Sequence, residues 1–597
     1  MTHLEQLHRA GALEPIDLQV GRLLERAARV RLGADGAALL GAAAARVSAD
    51  RRRGNACIPV AQLADVPLLD ADPDFGGMPR EALTAVPPVG DWRDLLEAAR
   101  AAGLCGSGAE PTPLVLADDC LYLHRFWAAE RRLGLGLRRL AEHPPDSVSA
   151  EAEALFARLF PPPPSDVPDL QATAARVALT RRLAVVTGGP GTGKTTTVAR
   201  IVALLLADDP ARQVALAAPT GKAAARLREA VASEVGKLDL PAAVRARVPV
   251  EGRTLHRLLG YRPHDDRFAR DAERPLTEDV VIVDEASMVD LLLMDALLAA
   301  LRPDARLVLL GDHGQLASVE AGAVLGDYCR LAIGGPEPYG GTVVQLLRSY
   351  RFEKRPGIGA VAGAMRVGDA KTAVAALDDP QHAEVSLRPY PVDPAAVLAP
   401  VTGLIDAFLA CESPEAALAA LARFRILCVT YAGRWGVDAM NALIEARLRR
   451  LSAAGGAMHW DHQPILITSN DYAVGLFNGD LGVILGEGDE RRAWFPDDSG
   501  TVRSFAPARL PAHRAAWAMT VHKSQGSEFD RVLLLLPDRD TRVLSRELLY
   551  TAVTRAREAV DIAGTSEGIE MSLARPTIRR SGLASVLGMR RAIGGAG

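Results

Sequence analysis

The sequence predicts an α/β protein in which two parallel-sheet domains face one another, preceded by a helical region and interrupted in the second by a small β-barrel. Three observations carry this: a glycine loop at 188–195, short apolar segments alternating with helical ones from Ala174 to Leu347, and a second such series opening at Ile426 to Thr430 and resuming at Val532 to Leu536. Apolar runs without polar alternation suit a parallel sheet covered by helices on both faces.

The glycine loop comes first in the argument. Leu183 to Thr187 reads as a strand, and Gly188-Gly189-Pro190-Gly191-Thr192-Gly193-Lys194-Thr195-Thr196 after it fits G-x-x-x-x-G-K-[ST] without a mismatch. Its glycines let backbone N–H groups close around phosphates, and the following helix presents its positive dipole end. Lys194 is placed to reach the β- and γ-phosphates and Thr195 to hold Mg²⁺.

With 597 residues the chain has room for about four domains. Hydrophobic residues at 49% and charged residues at 24% allow packed cores, and a formal charge of -4 makes any nucleic-acid surface a local one. Six scattered cysteines form no C-x-x-C pair, so buried free thiols are expected. The N-terminus lacks a signal-peptide core, and no stretch has the ~20 apolar residues of a membrane span, which points to the cytoplasm and to no membrane partner.

Residues 1–110 read as a helical domain, rich in Ala, Leu and Arg, and Arg51-Arg52-Arg53 as a solvated surface run. Residues 111–170 form a helical connector, in which Leu121 to Trp127 places aromatics at core spacing and Pro161 to Pro164 makes a linker. The first α/β domain then spans 171–347 and the second 348–597, with four short strand candidates and Gly/Asn/Asp turns marking the inserted barrel near 455–515.

Other chemistry gathers on the same sheet edge. Val280 to Val283 ends in Asp284-Glu285, at the carboxyl edge where open α/β sheets bind ligands. Asp284 can hold Mg²⁺ through water and Glu285 can polarise the attacking water. Gly311-Asp312-His313-Gly314-Gln315 follows the next strand and brings Gln315 to sense the γ-phosphate. Arg351 in Ser349 to Phe352 and Arg555 in Tyr550 to Arg557 are candidates for the transition-state charge, supplied from a second domain.

Taken in order, these motifs, together with Ala218 to Ala224, Thr254 to Leu258 and Val521 to Gly526, resemble those of superfamily 1 DNA helicases. Gln315 to Asp327 and Leu476-Phe477-Asn478-Gly479-Asp480 are most similar to the family of the exodeoxyribonuclease V alpha chain, RecD. The resemblance implies two RecA-like P-loop motor domains, an ATP- and Mg²⁺-dependent motor moving 5′ to 3′ on single-stranded DNA, and a heterotrimer with RecB-like and RecC-like subunits that processes duplex ends at double-strand breaks. It also implies that the helical domain at 1–110 binds a partner, that Gln171 reads adenine, that Arg351 and Arg555 are the γ-phosphate arginines, and that Gln315 couples. Thr220, Lys222, Thr254, His256, Thr520, His522 and Lys523 fall in motifs lining the DNA track, and Tyr261 to Thr277 in the position of a strand-separating pin. His313-Gly314 departs from the usual acidic filling of its turn. Two other readings are a free-standing RecD-like helicase, which the short region before the motor disfavours, and an assembly subunit with an ATP switch. No carboxylate cluster for DNA cutting stands outside these motifs, and the resemblance implies that nuclease activity belongs to a partner.

Overall fold

The computed structural model describes residues 3–9, 11–64, 92–162, 168–451, 460–471, 473–486, 488–497, 501–541 and 543–589. Pro163 and Pro164 of the expected linker, the first residues of the expected insertion and its turn at Asp498-Ser499-Gly500 lie outside these.

The N-terminal region is built on a long helix, Pro15–Asp50, bent at Gly33 (φ 70°), and on Trp92–Ala101. It also holds a sheet of β1 (Ile58–Pro59), β2 (Cys105–Gly106), β3 (Leu114–Ala117) and β4 (Cys120–Leu123), ordered β1-β4-β3-β2. Two-residue strands leave no alternation to read, and this sheet straddles the boundary expected at 110. Because β4 runs straight into the helix His124–Glu142, Tyr122, Phe126 and Trp127 lie across a strand-helix junction, with Tyr122 and Phe126 buried. Arg51, Arg52 and Arg53 are engaged rather than merely solvated, pairing with Glu320, with Glu14 and Asp17, and with Asp50.

The first α/β sheet contains β5 (Leu183–Gly188), β6 (Val214–Ala218) and β7 (Gly252–Thr254). A separate two-stranded hairpin, β8 (Tyr261–Arg262) with β9 (Arg267–Phe268), precedes β10 (Val280–Val283), β11 (Arg306–Gly311) and β12 (Val343–Leu346). The order is β12-β5-β11-β10-β6-β7, parallel throughout. Val185, Val281, Val283 and Leu309 face one apolar core, while Val186, Leu216, Ile282 and Leu310 face another. Both faces are therefore covered, which explains why these strands lack polar alternation.

The second series opens with β13 (Val385–Arg388) and β14 (Phe424–Cys428). An antiparallel sheet follows, made of β15 (Gln463–Ile467), β16 (Leu481–Leu485), β17 (Arg492–Pro496), β18 (Val502–Phe505) and β19 (His513–Ala515), in the order β18-β17-β16-β15-β19. With β18 and β19 at opposite edges, it is an open sheet among the described residues rather than the closed barrel expected. The chain re-enters the α/β sheet through β20 (Ala518–Thr520), β21 (Phe529–Leu535) and β22 (Ala556–Ala563), giving β13-β22-β21-β14-β20, again all parallel.

After the helix Ser566–Leu573 the chain crosses back to the first domain. Arg579 donates to the backbone oxygens of Ser318, Glu320 and Gly322; Arg580 O accepts from Ala56 N at 2.9 Å; and Leu583 and Leu587 join the first core beside Leu133 and Leu137. Among the described residues no helix is long and apolar enough to cross a membrane.

Candidate functional site between the two sheets

The carboxyl end of β5 turns at Gly188, and the helix Lys194–Asp208 starts from Gly193, whose φ of 83° is left-handed. At Gly191, φ 75°, an added Cβ would lie 2.4 Å from Arg351 Cβ, so both backbone conformation and close approach require glycine. Lys194 Nζ donates to Gly188 O at 2.6 Å and to Gly189 O at 3.0 Å, which lays the ammonium across the loop. Thr192 Oγ1 donates to Gly189 O at 2.8 Å, and Gln171 Nε2 to Thr192 O at 3.2 Å. Thr195 and Thr196 sit half-buried in the first helical turn.

Asp284 and Glu285 stand at the end of β10. Burial, reinforced by Glu285 and partly offset by Lys194, raises the Asp284 carboxyl to about 6. Glu285 has φ 52°, ψ 37°, a left-handed conformation costing a non-glycine residue roughly 1–2 kcal/mol. Strain of this kind is retained where a side chain must be aimed.

The turn after β11 reaches the second domain. Asp312 Oδ2 accepts from Tyr550 Oη at 2.8 Å and from Gln315 Nε2 at 3.1 Å. Gln315 Oε1 accepts from Arg555 Nη2, and Arg555, only 3% exposed, also donates to Thr551 O and Ser527 O. His313 replaces acidic filling with an anchor: its Nδ1 lies 2.8 Å from Thr187 Oγ1, tying the turn to β5, and burial lowers its pKa.

Arg351 has a partner that sequence reasoning missed. Its Nη2 donates to Glu528 Oε1 at 2.7 Å, while its Nη1 is buried with no hydrogen-bond partner. Glu528 also pairs with Arg226 of the first domain and Arg557 of the second. Burial would raise this carboxyl, but Arg226 and Arg351 outweigh it and hold it at about 2. The only sequence signal was an acid just beyond Gln525-Gly526.

The residues expected on the DNA track divide into two groups. Thr220 accepts from Ala223 N, Thr254 from Arg257 N and Thr520 from Lys523 N, so each hydroxyl braces a helical turn; Thr520 is 5% exposed. Lys222 is exposed, and desolvation by the cleft walls, with Arg425 and Arg226 nearby, lowers it to about 8. His256 stacks edge-on against Tyr261, centroids 5.3 Å apart, at the base of the β8–β9 hairpin. His522 is half-buried, its pKa lowered by burial and then by Arg579 and Lys523. Lys523 Nζ donates to Asn478 Oδ1 at 2.9 Å, and Arg257 lies over the Phe477 ring at 5.2 Å. Phe477 and Asn478 thus bring the inserted sheet onto the cleft, a placement that the Asn-Gly turn alone did not reveal.

Residues 9–122 match the family model for the RecBCD enzyme subunit RecD, N-terminal domain; 171–321 match an AAA domain; and 515–562 match a UvrD-like helicase C-terminal domain. Over 486 residues the chain is 43% identical to RecBCD enzyme subunit RecD of Mycolicibacterium smegmatis, covering 79% of this chain and 83% of that one. The chain belongs to the RecD family. It is 31% identical to the Haemophilus influenzae subunit of the same name, over 84% of this chain and 85% of that one. It is also 32% identical to the ATP-dependent RecD2 DNA helicase of Deinococcus radiodurans, over 76% of this chain and 56% of that longer protein. Among solved structures, Bacteroides Pif1 helicase in complex with ADP-AlF3 and ssDNA is similar at 17% identity and a TM-score of 0.36, over 71% of this chain and 94% of that one. The RecD N-terminal match runs into β4, ending one residue short of Leu123, and takes in strands from all four positions of the small sheet, and the UvrD-like match contains both Glu528 and Arg555.

Proposed function

We propose that this RecD-family chain is the ATP-dependent DNA helicase subunit of a heterotrimer with RecB-like and RecC-like subunits, moving 5′ to 3′ on single-stranded DNA from duplex ends, in cytoplasmic double-strand break repair and recombination. The observation that carries the reading is the composite site: Lys194 and Glu285 on the first sheet, Gln315 joined to Arg555 across the cleft, and Arg351 against Gly191. The two α/β domains act as RecA-like motors, with the inserted sheet as an SH3-like module.

The residues fit a magnesium nucleotide, because a guanidinium nitrogen of Arg351 is buried with no hydrogen-bond partner beside a loop whose Gly188 and Gly191 leave no room for a Cβ. Such a nucleotide, when bound, supplies the phosphoanhydride whose hydrolysis drives movement. Gly188 to Thr196 would hold its phosphates, Thr195 and Asp284 the metal, and Gln171 the base. Glu285 orients and deprotonates water, while Lys194, Arg351 and Arg555 counter the developing negative charge. Gln315, bonded to Arg555, passes closure at the phosphate side to the second domain.

The test is DNA-stimulated ATP hydrolysis and unwinding of 5′- and 3′-tailed duplexes by wild type and Lys194→Gln. Full ATPase in the variant sinks the site assignment, and unwinding only from 3′ tails sinks the polarity.

A further inference from the structure

The long helix Pro15–Asp50, up to its bend at Gly33, carries two apolar faces. Leu18, Gly21, Leu24 and Ala28 are buried, and the leucines and Ala28 among them join the N-terminal core. Ile16, Val20, Leu23, Ala27 and Val30 form a second stripe, spaced four and three residues alternately, which is a heptad seam. Four of its five positions lie open, Ile16 at 53%, Leu23 at 57% and Val30 at 95% exposure with Ala27 also exposed, while Val20 is half-buried and packs against the N-terminal core. Single exposed apolar residues are ordinary, but a stripe with four open positions is not.

The borders of the seam are unlike one another. At 3.6 residues per turn, the buried Asp17, Leu24 and Ala28 flank it on one side and Gln19, Arg22, Arg26 and Arg29 on the other. Among the described residues Arg22 pairs with Glu5, whereas Arg26 and Arg29 have no acidic partner.

We propose that this seam is the docking face for an amphipathic helix of another subunit of the assembly, one whose apolar heptad residues are bordered on one side by Asp or Glu. The inference rests on the reading of this chain as a subunit. A second copy is the wrong occupant: antiparallel pairing would set the Arg26 rows against each other, and parallel pairing would drive each into the other's core-facing flank. Residues 16–30 span only about 22 Å, so the seam forms the apolar centre of a larger contact.

The test is co-expression of the full chain with its two genomic partner subunits, followed by affinity purification. Wild type should recover them, and both Leu23→Glu/Val30→Glu and Arg26→Glu/Arg29→Glu should recover roughly tenfold less, about 1.4 kcal/mol. Both isolated variants should keep DNA-stimulated ATPase, which reports an intact fold. Lysines placed at the acidic border of the partner helix, located by cross-linking from Leu23→Cys, should rescue the arginine reversal. Undiminished recovery by both variants overturns the docking face and leaves the subunit reading standing. Failure of wild type to recover either subunit overturns both, and a wild-type homodimer that Leu23→Glu/Val30→Glu dissolves gives the seam to a second copy.

Discussion

Arg351 donates to Glu528 at 2.7 Å, and the same carboxylate holds Arg226 from the opposite wall of the cleft. The arginine proposed to meet a phosphate is thus engaged by an acid of its own chain. Replacing the charge-assisted bond by a neutral one in Glu528→Gln weakens that hold. The expected result is a KM for ATP lowered roughly threefold to tenfold and a smaller ratio of DNA-stimulated to basal hydrolysis. A raised KM would show instead that Glu528 positions Arg351 for the phosphate.

Glu285→Gln keeps the size of the side chain and removes the proposed base. Hydrolysis should fall by roughly 10²–10⁴ while binding of a fluorescent ATP analogue persists. Lys194→Gln, by contrast, should lose binding as well. Equal losses of binding in both variants would mean that Glu285 serves the loop rather than the water.

Glu130 brings pH into the packing. Buried at 3% exposure, it accepts from Tyr122 Oη at 3.1 Å and Gly582 N at 2.8 Å, and burial raises its carboxyl to about 7 against hydrogen bonds from Ser581, Gly582 and Tyr122. Below pH 4.5 both folded and unfolded chains keep the proton. Between 4.5 and 7 only the folded chain keeps it, so stability falls as pH rises through that window and stays lower above it. The expected loss is on the order of 3 kcal/mol, read by denaturant melts. Glu130→Gln should flatten the profile between pH 5 and 8; an unchanged slope would place the titration elsewhere.

Lys523 and Phe477 should separate by salt. Lys523→Ala should reduce the slope of log affinity for single-stranded DNA against log salt by about 0.7, as one phosphate contact requires. Phe477→Ala should cost about 1–3 kcal/mol of affinity with the slope unchanged, as stacking requires. A slope change from Phe477→Ala would mean that its contribution is to hold Arg257 in place.

What could be read from the residues was local. Gly188 to Thr195, Asp284-Glu285 and Gln315 each follow an apolar strand, and strand and loop are contiguous in sequence. The pairing of Arg351 with Glu528 joins residues 177 positions apart, and Tyr550 meets Asp312 across 238. Neither leaves a periodic trace. The small sheet was hidden because β1 and β2 have two residues each, and four of the five inserted strands were legible from the turns that bound them, while the three-residue β19 and the failure to close were not. Thr220, Thr254 and Thr520 illustrate another limit: a threonine before a helical turn reads equally as a ligand and as a cap, and here the caps are made.

The returning segment through Arg579 and Arg580 alters what the cleft can do. The second α/β domain leaves the first at residues 347–355 and is fastened to it again at 579–587, through Ser318, Asn55 and Tyr339. A body held at two points keeps one rotation, about the line through them. Opening and closing become a swing about that line, and because Arg351 lies within the 347–355 crossing while Arg555 lies out on the second body, Arg351 stays beside the glycine loop as Arg555 moves toward or away from it.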